Sequence, residues 1–193
     1  MSETHELNGN PVNQGSRIAL AIAILVVMVG LSTSKATAAP TPKAVSASIA
    51  VTSSASAELE MFQLLNNDRT APAQAAEAGP NAHPLSWDPK LAAVARARAQ
   101  ELANGATFQH VTADGLQPWD RLSKAGVQWV SMGENLAVGQ SIAQAEAAFM
   151  NEAKFQDNHR GNIVNKTFTS VGIGIAVGQD GTLYITEEFV QAR

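Results

Sequence analysis

The 193-residue chain contains no cysteine. That excludes disulfides, thiolate metal sites and a thiol nucleophile at once. A folded domain here is held by its core alone, and roughly 130 residues are enough for that. Basic charge is scarce as well, with 13 Lys plus Arg against 17 Asp plus Glu. No basic patch or basic-aromatic stripe occurs, so nucleic acid is not an expected partner. Several enzyme signatures are missing. There is no His-Glu-x-x-His zinc-protease helix and no Gly-x-Ser-x-Gly nucleophile elbow. Gly172-x-Gly174-x-x-x-Gly178 has the wrong spacing for a dinucleotide loop and falls in a predicted strand.

The longest apolar run, Ile18 to Leu31, has 14 residues. That is short for a membrane span of about 20. Arg17 precedes it and Ala36-Thr37-Ala38 follows, which fits the small-x-small rule of signal peptidase. Residues 1–38 therefore read as a signal peptide cleaved after Ala38, giving a secreted, extracytoplasmic protein. The leader Met1 to Ser16 carries Glu3 and Glu6 and no Lys or Arg. This keeps an uncleaved N-terminal membrane anchor as the alternative. Residues 39–57 are Ala, Ser, Thr, Val and Pro with one Ile and with Lys43 the sole charge, and read as a flexible linker. The folded domain is expected over 58–193.

Within it, Leu59, Phe62 and Leu65 step by three and predict an amphipathic helix over Ala57 to Arg69. Thr70 to Ser86, with Pro72, Gly79, Pro80 and Pro84, predicts a loop. Asp88 followed by Pro89 is a cap with proline at the first helical position. Leu91, Val94, Ala95, Ala99 and Leu102 continue that helix, and Gly105 ends it. Pro118 to Lys124 predicts a short helix. Ser141 to Ala153 predicts another, with Ser141 and Gln144 spaced as a capping box. Val171 to Val177 and Leu183 to Val190 read as strands around an Asp180-Gly181 hairpin turn. Val127 to Ala137 supplies a third. Helices around a few antiparallel strands predict an α+β layered fold.

Two histidines and two glutamates sit in short, specific settings: His110 after Phe108-Gln109, Glu134 in Gly133-Glu134-Asn135-Leu136, Glu152 at the end of a helical stripe, and His159 in Asn158-His159-Arg160. Brought together, they would line a cleft able to bind a divalent cation or to move a proton, because imidazole and carboxylate both ligate zinc and histidine titrates near neutrality. The alternative is structural, with imidazoles bonded to Glu134 and Glu152 to tie helices to the sheet. Asn135 and Asn162 are expected to bond to loop backbone. Arg160 is read first as facing water, with pairing to a cleft-edge acid as the other option. His83, in a proline-bounded loop, is expected to be exposed. Gly172 and Gly174 share one strand face, where close approach of a helix or a ligand is expected. Trp87, Trp119 and Trp129 read as packing.

From about Glu58 to Gln191 the chain resembles the CAP superfamily, the cysteine-rich secretory, antigen 5 and pathogenesis-related proteins, in its cysteine-free bacterial branch. The resemblance is carried by Leu64-Leu65-Asn66-Asn67-Asp68-Arg69, Leu85-Ser86-Trp87-Asp88-Pro89-Lys90-Leu91 and Phe108-Gln109-His110. Gly133-Glu134-Asn135-Leu136, His159-Arg160-Gly161-Asn162-Ile163 and Val171-Gly172-Ile173-Gly174 follow in the same order. It implies a three-layer α-β-α sandwich with a small central antiparallel sheet. It also implies a cleft lined by His110, Glu134, Glu152 and His159, with His110 and His159 as the metal ligands in members that bind zinc or another divalent cation. Asn135, Arg160 and Asn162 would support it. Phe149 departs from the usual tryptophan, and Ala153 to Asn158 departs from the bacterial Ser-Pro-Gly approach to the second histidine. The resemblance implies an extracellular binding module for a lipid or sterol, an envelope component or a protein. The competing readings are a metal- or histidine-dependent hydrolase and a purely structural envelope domain.

Overall fold

The computed structural model describes residues 18–20, 48–79 and 82–193. The proposed cleavage site after Ala38, most of the apolar run and the first part of the linker lie outside them. Helix α1 spans Ser48–Thr70, so it starts inside the segment expected to be a flexible linker. Alanine and serine there cost a helix little side-chain entropy, and Ala57 packs on the core. The buried stripe of α1 is Glu58, Met61, Leu65 and Arg69. This corrects the predicted face: Leu59 is 54% exposed. Steps of three drift off a 3.6-residue turn, and the 3-4-4 spacing of the buried set does not.

A 3₁₀ turn (Pro72–Gln74) and a short helix α2 (Ala75–Ala78) occupy part of the segment predicted as loop. Helix α3 (Pro89–Ala103) begins as expected, with Asp88 Oδ1 accepting from the Lys90 and Leu91 amides at 2.7 and 3.2 Å. Helices α4 (Pro118–Lys124), α5 (Ile142–Met150) and α6 (His159–Ile163) follow.

Four strands make the sheet of the domain: β2 (Ser86–Trp87), β3 (Trp129–Gly139), β4 (Ser170–Val177) and β5 (Leu183–Ala192). β5 lies between β3 and β4 and is antiparallel to both. β2 pairs parallel with β4, and a three-residue strand β1 (Ile18–Leu20) pairs parallel with β3 at the other edge. The order is β1-β3-β5-β4-β2.

Alternation along these strands builds two cores. One face carries Val171, Ile173, Ile175, Ile185 and Phe189, which pack with Met61, Leu65 and Phe149 of α1 and α5. The other carries Met132 and Val190, which pack with Leu91, Val94 and Leu122 of α3 and α4. The result is a three-layer α-β-α sandwich. Gly172 and Gly174 explain how close α3 lies, for a Cβ on either would overlap the main chain of α3 at Ala92 and Arg96. We therefore expect Gly174→Val to lower stability by about 3 kcal/mol, because the obstacle is backbone and cannot repack. Gly139→Ala, with open space around it, should stay within about 0.5 kcal/mol of wild type. Urea denaturation of the two variants measures this; equal effects would mean that α3 does not need the glycine face.

Candidate functional site

His110 lies in the loop between α3 and α4. Two buried or nearly buried arginines hold that loop by its backbone: Arg98 donates to Gln109 O, and Arg121 donates to His110 O at 2.9 Å. The imidazole Nδ1 donates to Glu134 Oε1 at 2.7 Å. Glu134 projects from β3 and is fully buried, and its second oxygen takes an ion pair from Arg121. Burial by itself raises the Glu134 carboxyl. The hydrogen bond from His110, the Arg121 charge and a bond from Glu188 outweigh it and hold the group below its ordinary 4.5. Glu134 is an anion with its acceptor sites occupied.

His159 opens α6. The Asn158 side chain caps this helix by accepting from the Gly161 amide at 2.7 Å. Glu152 grips the first residue twice, with Oε2 accepting from His159 N at 2.8 Å and Oε1 from His159 Nδ1 at 2.7 Å. Phe149 lies against the imidazole, centroids 4.7 Å apart and ring planes tilted by 32°. The departure from tryptophan at this position thus keeps an aromatic wall. The atypical segment before His159 is held too. Phe155 adopts φ 59°, and its amide donates to Glu77 at 2.9 Å.

The two His–Glu pairs are joined through asparagines. Asn135 Nδ2 donates to His159 O at 3.1 Å, and Asn162 Nδ2 donates to Asn135 Oδ1 at 2.8 Å. The imidazoles also feel one another. Burial lowers the His159 pKa from its ordinary 6.5, the Glu152 bond and charge oppose this, and any charge on His110 presses it down further. In each pair a carboxylate accepts from Nδ1, so the proton resides there and Nε2 keeps its lone pair. His159 Nε2 is buried without a hydrogen-bond partner. No group of three or more His, Asp or Glu among the described residues is placed to hold an ion unaided.

Arg160 corrects the reading that it faces water. It is buried, pairs with Glu77, and donates to Met150 O and the Gln74 side chain. His83 is exposed and lies outside the site. Sequence reasoning missed Arg121, the organiser of the first pair, and the buried acids Glu146, Glu187 and Glu188. Adjacent strand residues point to opposite faces, so with a helix layer on each side of the sheet one of Glu187 and Glu188 must enter each core. Glu187 accepts from Asn135 at 2.9 Å. Glu188 lies 3.6 Å from Arg121.

A sandwich of this topology with two coupled His–Glu pairs defines a recognisable class. The chain belongs to the CAP, or cysteine-rich secretory protein, family, whose model matches residues 62–190. The Bacillus subtilis protein YkwD is 32% identical over 108 residues, 55% of this chain and 39% of YkwD. The chain thus spans well under half the length of that relative. An extracellular SCP-domain protein from Bacillus anthracis has a TM-score of 0.61 at 22% identity, covering 78% of this chain and 45% of that one. An outer surface protein of Borrelia burgdorferi has a TM-score of 0.56 at 20% identity, covering 69% and 94%. Among the described residues no helix is long and apolar enough to cross a membrane.

The buried acids make a pH prediction. Burial pushes the Glu187 carboxyl from 4.5 up to about 8, against the opposing Asn135 bond. The folded state then binds more protons than the unfolded chain, so this contribution falls as pH rises from about 4.5 to 8 and levels above. His159 acts oppositely, with stability lost as pH drops below 6.5. Glu187→Gln should make the loss of stability between pH 6.5 and 8 shallower by about 1 kcal/mol or more. Urea melts at the two pH values test it; identical slopes would show that Glu187 is ionised in the fold.

Proposed function

We propose that this chain is a secreted CAP binding module whose cleft holds a divalent cation between the Nε2 atoms of His110 and His159. The observation that carries the reading is the shared arrangement of the two imidazoles. Each gives Nδ1 to a carboxylate, and the buried Nε2 of His159 has no partner. A carboxylate behind a histidine fixes the tautomer and raises the basicity of the far nitrogen, which is the usual support for a metal-binding imidazole. Glu134 and Glu152 are then orienters. Two protein ligands leave most positions on the ion open, for water or for oxygen atoms of a molecule held in the cleft. The family resemblance supports a lipid or sterol, an envelope component or a protein as that molecule. A bound cation would supply Lewis acidity there, and the chain's part is to present two neutral imidazoles.

Zinc titration by calorimetry, with the ion alone as probe, tests the reading. Wild type should bind, and His110→Ala and His159→Ala should each abolish binding with a modest loss of stability. Glu152→Gln should weaken it about 10- to 100-fold. Affinity should drop below about pH 6.5, where protons compete for the imidazoles. No uptake by wild type, with a large fall in melting temperature in both alanine variants, would make the four residues a brace. Cleavage of a peptide or ester library that vanishes in His110→Ala would replace binding by hydrolysis.

A further inference from the structure

Arg69, in the last turn of α1, is a buried cation with no acid beside it. Its Nε donates to His83 O at 2.8 Å, Nη1 to Ile163 O and Asn165 O at 2.8 Å each, and Nη2 to Phe168 O at 3.1 Å. All four acceptors are neutral main-chain carbonyls. No ion pair to Arg69 occurs among the described residues. A guanidinium has five N–H groups, so one on Nη2 is left over. The uncompensated charge is costly, and burial lowers the Arg69 pKa to about 10.

Arg69 also lines a groove of about 370 Å³ together with His83, Pro84, Lys166, Phe168 and Thr169, and none of the described residues that line it is acidic. His83 and Lys166 are exposed and make no ion pair among the described residues. In a chain of net charge −4 with histidines neutral, Arg69 and Lys166, with the His83 imidazole beside them and no carboxylate among the described lining residues, form a local reversal of sign. An anion there would complete the coordination of Arg69 and meet the two basic groups at the rim. The groove far exceeds a bare anion, for a water takes about 30 Å³. Pro84 and Phe168 give it apolar wall for an attached organic body.

We infer that this groove is a second ligand site, taking a phosphate group carried on an organic body through Lys166, His83 and the spare N–H of Arg69. The site is independent of the cation cleft and shares none of its side chains. Guanidinium and ammonium groups both suit phosphate oxygens, the former through its fixed fork and the latter as a point charge. The phosphate has two possible sources, a soluble or polymeric phosphate ester and a lipid headgroup.

The test uses the full chain with inorganic phosphate, glycerol 3-phosphate and acetate, followed by NMR shifts of the Ala82, His83 and 164–169 amides. Vesicles of phosphatidylglycerol and of phosphatidylcholine form the second arm. Glycerol 3-phosphate should bind more tightly than inorganic phosphate, and acetate least. Lys166→Glu should weaken binding at least about tenfold, the equivalent of one charge-assisted contact, and His83→Ala less. Both residues are exposed, so the variants should fold. His159→Ala should bind phosphate like wild type, which separates this site from the cleft. Vesicle binding restricted to phosphatidylglycerol and lost in Lys166→Glu assigns the lipid source; binding of the soluble ester alone assigns the other. No shift with any phosphate compound, or equal binding by Lys166→Glu, overturns the proposal.

Discussion

The pairing of β3 with β5 is the constraint on which the site depends. In that register Glu134 lies opposite Glu188, and Asn135 opposite Glu187. Because side chains alternate, the first pair points toward α3 and α4 and the second toward α1, α5 and α6. A slip of one residue would exchange the layers and separate His110 from its carboxylate. The register also sets a chemical problem. Two carboxylates directly opposite on a buried face repel, and both cannot be ionised. The fold divides the roles. His110 and Arg121 keep Glu134 an anion, while burial and the Glu134 charge push Glu188 well above its ordinary range. On the other face, burial together with Glu187 and Asp68 pushes Glu146 well up, so a proton is retained there as well.

Each histidine is thus held by a carboxylate and by a buried arginine acting on nearby backbone. Arg121 reaches both Glu134 and the carbonyl of His110. Arg160 reaches Glu77 and the carbonyl of Met150, closing the turn that brings Glu152 to His159. A five-residue helix and an irregular loop are poor platforms alone, since short helices are marginal without tertiary support. Buried arginines make them precise platforms by satisfying carbonyls that would otherwise be stranded. The arginine ties are the expensive ones to cut: without Arg160 the buried Glu77 carboxylate loses its cation, and without Arg121 Glu134 keeps only His110.

Much of this was legible in the chain. Asp88-Pro89 announced α3 because a cap and a proline at the first position act through local geometry alone. Gly172 and Gly174 announced a close approach because no other residue would have been needed there. His110, Glu134, Glu152 and His159 were visible through their settings. Other features were not legible, for stated reasons. The buried face of α1 depends on where 3.6-residue periodicity falls within a segment rich in small residues, and Leu59 diverted the stripe. Arg160 looked solvent-facing because Glu77, its partner, lies in a segment whose proline content predicted only loop. Arg121 sits in a short helix with ordinary surface composition, and only the fold brings it to Glu134. Glu187 and Glu188 were counted within a strand without asking what two adjacent acids would meet on its two faces.

The absence of cysteine can now be read against the family to which the chain belongs. Long-range ties in this chain are made by guanidinium groups. Arg69 links the end of α1 to carbonyls of residues 83, 163, 165 and 168 through four hydrogen bonds to distant chain. Arg96 of α3 grips Glu58 of α1 through both its oxygens, at 2.8 and 2.6 Å. The two kinds of tie differ in physical consequence. A disulfide acts largely by restricting the unfolded chain and is indifferent to pH. An arginine tie acts only in the folded state, and its strength depends on the exclusion of water and, where the partner is an acid as at Arg96, on that acid's charge. In this cysteine-free sandwich stability is therefore coupled to buried charge: Arg69 depends on main-chain carbonyls, and Arg121 and Arg160 on the carboxylates of Glu134 and Glu77.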